Sequence, residues 1–149
     1  MGKGDFAVVP TSLIDNDNAH LFLPQCSVCA SNPKLCIHPL TDSMTLIADS
    51  TDWDESCSCH EIEPLVVDCI VYNADSVHTA LYENRFYIAV LKDNILAYIN
   101  MFLSNCFEDA LYYTLATYKA VGFDRMRHPL TVRGEINKVD FKKYFVRCV

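Results

Sequence analysis

Residues 76–103 read SVHTALYENRFYIAVLKDNILAYINMFL, and their pattern decides the fold. Three apolar, β-branched or aromatic runs, Val77 to Tyr82, Phe86 to Leu91 and Ile95 to Leu103, are interrupted only by Glu83-Asn84 and Asp93-Asn94. Asn and Asp tolerate the positive φ that two-residue hairpins need, so the economical reading is a three-stranded antiparallel meander. The third run is apolar at nearly every position, which predicts a central strand covered on both faces.

Downstream, residues 104–124 read SNCFEDALYYTLATYKAVGFD. Asn105 with Glu108 three residues on fits a capping box, in which two otherwise orphan amides are satisfied reciprocally. Phe107, Leu111, Leu115 and Tyr118 recur at helical spacing as one apolar stripe, Lys119 suits the last turn, and Gly122 follows as the stop. Leu130 to Arg133 reads as a strand, and Asn137 caps a short final helix with Ile136 and Phe141 placed as a hydrophobic staple.

Upstream the signals thin out. Phe6 to Val9 is a short strand stopped by Pro10, and Thr11 to Leu23 reads as a helix with Asn16 as N-cap, ended by Pro24. Residues 24–41 hold three prolines and three cysteines and read as an irregular loop; the whole of 24–64 is an irregular, Cys-bearing segment apart from a buried strand at Met44 to Ala48. Leu65 to Tyr72, LVVDCIVY, reads as a further strand.

At 149 residues the chain suits one domain, with 51% hydrophobic and 21% charged residues. No run approaches the ~20 apolar residues of a membrane helix. The opening MGKGDFAVVP has no apolar core with a cleavage site behind it, and Phe6 stands where a myristoylation signal wants Ser or Thr, so the cytoplasm is the expected location. Eight cysteines without an export signal are expected to be reduced, with Cys69 and Cys106 in the core. The net charge of −7 is uneven: residues 1–118 hold 4 basic and 16 acidic side chains, and residues 119–149 hold 8 basic and 3 acidic. A pI near 5 argues against a dedicated nucleic-acid binder.

The run FYIAVLKDNILAYINMFLSNCFEDALYYTLATYKAVGFD, followed by LTVRGEI, resembles the C-terminal part of a bacterial family with an actin-like fold. The earlier FAVVPTSLIDNDNAHLFLP is similar to the strand-plus-helix of the same family, whereas Gln25 to Asp75 matches poorly. The resemblance implies an α/β fold, an RNase H-like or actin-like lobe whose mixed sheet starts with the antiparallel meander in the order βββαβα. The family's first half, with its own opening meander, is absent, so the chain reads as a fragment or shortened relative of a two-lobed protein. The helix that the family places just before Ser76 is not evident in LVVDCIVY.

Actin-like folds usually grip phosphate with Gly-bearing turns, and the resemblance puts such a turn at Tyr82-Glu83-Asn84-Arg85. It has no glycine to admit a phosphate, and Glu83 would repel one. Gly134 stands where the resemblance implies an adenosine-contacting turn, so it is the cofactor-binding candidate if a nucleotide binds. Two-metal nuclease chemistry needs converging carboxylates, and the first meander strand has none; Asp49, Asp52, Asp54 and Glu55 cluster in a loop-like stretch that reads as solvated surface. Cys26, Cys29, Cys36, His38, Cys57, Cys59 and His60 are candidate zinc ligands: the first pair has zinc-site spacing and the second is irregular. Cys59-His60 lacks an identifiable orienting third residue, so no catalytic residue is assigned, and His20, His78 and His128 read as ordinary packed or surface histidines.

These readings converge on a non-catalytic binding or scaffolding module with an unknown protein partner, for which self-association is an expectation. The alternatives are a degenerate ATP-binding protein of the actin-like superfamily and a small zinc-stapled interaction domain.

Overall fold

A computed structural model describes residues 1–15, 17–23, 34–104, 106–136, 138–145 and 148–149. The chain divides into two compact units, Met1–Glu63 and Pro64–Val149. The first unit carries ten of the nineteen acidic side chains and two of the twelve basic ones. Among the described residues no helix is long and apolar enough to cross a membrane.

The first unit is a three-stranded antiparallel sheet ordered β1-β3-β2, made of β1 (Phe6–Pro10), β2 (Leu35–Pro39) and β3 (Met44–Asp49). Central β3 pairs Phe6 with Ala48 on one side and Leu35 with Asp49 on the other. Two expectations change here. Thr11 to Leu23 forms two separate 3₁₀ turns, Thr11–Leu13 and Ala19–Phe22, because Asp15 folds back to accept the amides of Asp17 and Asn18. The stretch read as irregular contains β2, whose one proline, Pro39, ends the strand, where a missing donor costs little. Asn16 and residues 24–33 lie outside the described residues.

α1 (Glu63–Tyr72) starts at the last residue of the first unit, and the second unit holds a four-stranded sheet ordered β6-β5-β4-β7. Its strands are β4 (Ser76–Tyr82), β5 (Arg85–Lys92), β6 (Ile95–Leu103) and β7 (Leu130–Gly134); α2 (Phe107–Val121) joins β6 to β7, and α3 (Lys138–Phe141) follows. β4, β5 and β6 form the meander, and β7 adds parallel to β4, with Val77 opposite Leu130. LVVDCIVY is therefore helix, not strand. Pro64 supplies a φ suited to a first turn, and the buried Leu65, Val66 and Cys69 share one helical face despite four β-branched residues.

Asp93 and Asn94 have φ of 54° and 62°, as a tight β5–β6 hairpin requires, and Glu83 takes 55° at the β4–β5 turn. The apolar β6 is an edge strand, not the central one; β5 holds that place, with Phe86 to Leu91 all buried. The N-cap of α2 is Cys106, and Asn105 lies outside the described residues. Gly122, at φ 75°, ends α2, and the Phe123 amide donates to Tyr118 O at 2.8 Å. The α2 face buried deepest is Ala110, Thr114, Thr117 and Tyr118, with Phe107, Leu111 and Leu115 packed half-buried around the core of Val77, Phe86, Ile88, Val90, Phe141 and Phe145. Each such Phe, taken out of water, contributes about 2–3 kcal/mol.

Candidate functional site

The turn between β4 and β5 and the end of β7 meet at one point. Gly134, at φ 86°, lies beside Leu81 so closely that a Cβ would stand 2.2 Å from the Leu81 carbonyl oxygen. The next amide, Glu135, donates to that same oxygen at 2.9 Å. Glu135 then turns its carboxylate onto the turn, where Oε2 accepts the Glu83 amide at 3.1 Å, while Arg85 Nη1 donates to Glu83 Oε2 at 3.2 Å. The Glu83 amide is thus held by a carboxylate, and two acidic side chains occupy the place where a phosphate would approach. Gly134 is explained by the close passage of two backbones.

Beyond Gly134 lies an open cleft of about 410 Å³ lined by Asp68, Thr131, Val132, Arg133, Gly134 and Lys138. Arg133 Nη2 pairs with Asp68 Oδ2, half-exposed on both sides, which neutralises one of its two cations.

His78 is buried in this sheet, not on its surface. Its Nε2 lies 2.8 Å from Ser76 Oγ and its Nδ1 2.8 Å from Thr131 Oγ1. Because Ser76 Oγ spends its proton on Ala74 O, it accepts from Nε2–H, and Nδ1 accepts from Thr131. Burial pulls the His78 pKa down to about 4, so the ring is neutral at neutral pH. Ser76 and His78 are fully buried, and Thr131 is half-buried at the rim of the cleft.

The zinc candidates are only partly brought together. His60 is buried, with Nε2 2.9 Å from Gly4 O and Nδ1 accepting the Ile62 amide at 3.0 Å, so both ring nitrogens are committed to backbone. It joins the N-terminal residues to the loop before α1: Gly2 donates to Cys59 O and accepts from Glu61, each at 2.7 Å, and Trp53 Nε1 donates to Lys3 O at 2.8 Å. His38 Nδ1 pairs with Glu63 Oε1 at 2.8 Å, and Glu63 Oε2 is a buried oxygen without a hydrogen-bond partner. Cys36 is raised above its ordinary pKa by burial and by the nearby Glu63 and Cys59, which keeps it a thiol. Cys36 and Cys57 share a shallow depression of about 340 Å³ with Lys34, Trp53 and Asp54. Cys26 and Cys29 lie outside the described residues. Among the described residues no three His, Cys, Asp or Glu side chains are placed to hold one metal ion.

Cys69 is fully buried as expected, its pKa pushed up to about 12 by desolvation, but Cys106 is exposed at the start of α2. The Asp109 amide pulls the Cys106 thiol down, yet desolvation and the Asp109 and Glu108 side chains outweigh it and the thiol lies above its ordinary value.

A second surface was not foreseen. Tyr98 and Phe102 of β6, with Tyr113, Ala116, Ala120 and Val121 of α2, line an apolar groove of about 230 Å³ along the sheet edge. Phe102 stacks on Tyr113 at 4.1 Å between centroids. The signal was available in the sequence: nine consecutive residues without a charge, ILAYINMFL, fit an edge left open for pairing as well as they fit a covered centre.

The chain matches, over residues 59–145, the family described as protein of unknown function (DUF3822). It belongs to that family. The matched stretch of this DUF3822 chain holds α1, the whole four-stranded sheet and α2, together with Cys59 and His60, and leaves β2 with Cys36 and His38 outside. No curated protein matches it. A solved structure from Bacteroides thetaiotaomicron VPI-5482, described as a protein with actin-like ATPase fold and unknown function, is similar at TM-score 0.74 and 18% identity over 96% of the DUF3822 chain. The actin-like ATPase fold expected from the resemblance is therefore present, and the chain spans 63% of the length of that structure.

Proposed function

We propose that this DUF3822 chain is a non-catalytic binding or scaffolding module of the bacterial cytoplasm, with the β6–α2 face as its contact surface. The observation that carries the reading is the β4–β5 turn. In a nucleotide-gripping turn, backbone amides point at phosphate; here the Glu83 amide is taken by Glu135 and no glycine relaxes the approach. The β6–α2 groove is the complementary observation: an uncharged edge and a concave apolar strip are what a protein partner uses and what a nucleotide phosphate does not. Thermal unfolding with and without ATP and Mg²⁺ tests it. The melting temperature is expected to stay fixed, and phosphate release to remain at background. A saturable upward shift would overturn the proposal.

A degenerate nucleotide-binding role is the second reading, favoured by the cleft beyond Gly134, where Lys138 and Arg133 sit within one polar recess. It predicts that the same shift appears and is abolished by Lys138→Glu, because an anionic ligand there would lose its cation.

A further inference from the structure

We propose that a second copy of this chain occupies the β6–α2 face, the two edges pairing antiparallel about a two-fold axis so that two four-stranded sheets become one of eight. The inference rests on the reading of the chain as a binding module and names its partner.

Natural edge strands are guarded by Lys, Pro or inward charges, because unpaired backbone groups recruit other strands. β6 has none of these over nine residues, and among the described residues it pairs with β5 alone. It is also the most exposed strand of its sheet, with Ile95 and Leu103 each about two thirds in water (65% and 67%). The Met101 amide points to the open edge, since it donates to Asn100 Oδ1 at 2.8 Å. That side-chain contact is one a partner strand replaces with a backbone carbonyl. Asn100 Nδ2 in turn contacts Tyr98 Oη at 3.1 Å.

The bulge between Val90 and Leu91 leaves the segment after it, Tyr98 to Leu103, as the regular part of the edge. An antiparallel two-fold centred on Asn100 places Tyr98 opposite the partner's Phe102, and Ile99 opposite the partner's Met101. Both pairs keep each side chain on its own face, as period-two alternation demands. Tyr98 and Phe102 already line the groove, so the groove continues into its own image across the axis.

The charges select a second copy over a different protein. Since Phe102 packs on Tyr113, and Nζ of Lys92, the β5 residue opposite Ile95 at the start of β6, donates to Val121 O at 2.7 Å, α2 runs antiparallel to β6. Its exposed acids Glu108 and Asp109 therefore lie in the first turn of α2, ahead of the groove's Tyr113, and its exposed Lys119 in the last turn, next to the groove's Ala120. A two-fold axis through the middle puts the acidic end of each helix beside the basic end of its mate, twice per dimer. In a chain of net charge −7, this face is one where two copies meet without like charges opposed. The exposed Ala116 and Ala120, one turn apart, leave room for the second helix. An isologous interface of this kind is closed, so assembly stops at two.

The test is sedimentation of the full chain over a concentration series, with circular dichroism on every variant to confirm folding. The wild type is expected to reach a dimer. Lys119→Glu and, separately, the double variant Glu108→Lys/Asp109→Lys are expected to weaken dimerisation by about tenfold or more, since each turns two attractions into repulsions. Mixing the two variants is expected to restore a dimer, now a heterodimer. Ile99→Lys/Met101→Lys should abolish association, and Ile99→Lys/Met101→Glu should recover it, because only the named register sets those positions face to face. A wild type that stays monomeric at every concentration, or a dimer indifferent to all four changes, overturns the proposal. Neither outcome touches the ATP result, so failure here is distinct from failure of the binding-module reading.

Discussion

Gly134 passes Leu81 at a distance no other residue tolerates: an added Cβ would lie 2.2 Å from the Leu81 carbonyl oxygen and 3.1 Å from its carbon. Both obstacles are backbone, at the last pair of a parallel pairing that runs from Val77–Leu130 to Leu81–Gly134. Gly134→Ala therefore combines a strained positive φ with a clash that only a shift of β7 relieves. Urea denaturation is expected to register a loss of about 2–4 kcal/mol. An unchanged midpoint would mean that β7 gives way freely, and would return Gly134 to the list of residues kept for a ligand.

His78 predicts a specific acid instability. Its folded pKa is about 4, below the ordinary 6.5, because burial disfavours the imidazolium. The unfolded chain thus takes up the proton first, and stability falls as pH drops from about 6.5 through 4, by on the order of 3 kcal/mol for this group. Above pH 6.5 the group contributes no slope. Proton NMR of the ring checks the cause directly: its resonances should hold still down to about pH 5. A ring that titrates near 6.5 would remove His78 as the source.

His60 is expected to matter through its backbone bonds and not through metal. His60→Ala strips partners from Gly4 O and the Ile62 amide and opens a hole beside Phe6 and Trp53, whose rings lie 5.1 and 6.0 Å away. A cost of about 3 kcal/mol is expected. Dialysis of the wild type against a chelator should leave its melting temperature alone. A clear drop, with zinc recovered in stoichiometric amount, would favour the zinc-stapled domain and point to Cys26 and Cys29 as partners for Cys36 and Cys59.

The two cysteines first read as core part company under a thiol reagent. Cys106 is exposed and should label within the mixing time of a slow assay. Cys69, fully buried and pushed up to about 12, should react only through unfolding, roughly a hundredfold or more slowly. Peptide mapping after brief labelling in native buffer distinguishes them. Comparable labelling of both would mean that α1 opens readily.

What could be read in advance was local. The β4–β6 meander, the stop of α2 at Gly122 and the strand at Leu130 each follow from turn chemistry or periodicity within a few residues. What could not be read was tertiary. LVVDCIVY is β-branched enough to pass for a strand, and only Pro64 ahead of it betrays a helix start. ILAYINMFL is apolar for the sake of an open edge, and nothing local separates that from a buried centre. The clip between Gly134, Leu81, Glu135 and Glu83 joins residues some fifty positions apart, so the carboxylate that takes the Glu83 amide is one that no motif pairs with that turn. The partner of His60 was out of reach for the same reason: its ring faces Gly4, fifty-six residues away.

Trp53, wedged against Gly2 and His60, has an optical consequence. It is the only tryptophan, and it lies in Met1–Glu63, which contains no tyrosine; all eight tyrosines fall in Pro64–Val149. The two units thus carry different chromophores by sequence alone. Red-edge excitation follows the first, and tyrosine absorbance follows the second, in a single cuvette without label or substitution. Coincident denaturation curves in the two channels would establish one cooperative body, and separated curves would assign each transition to its own half of the chain.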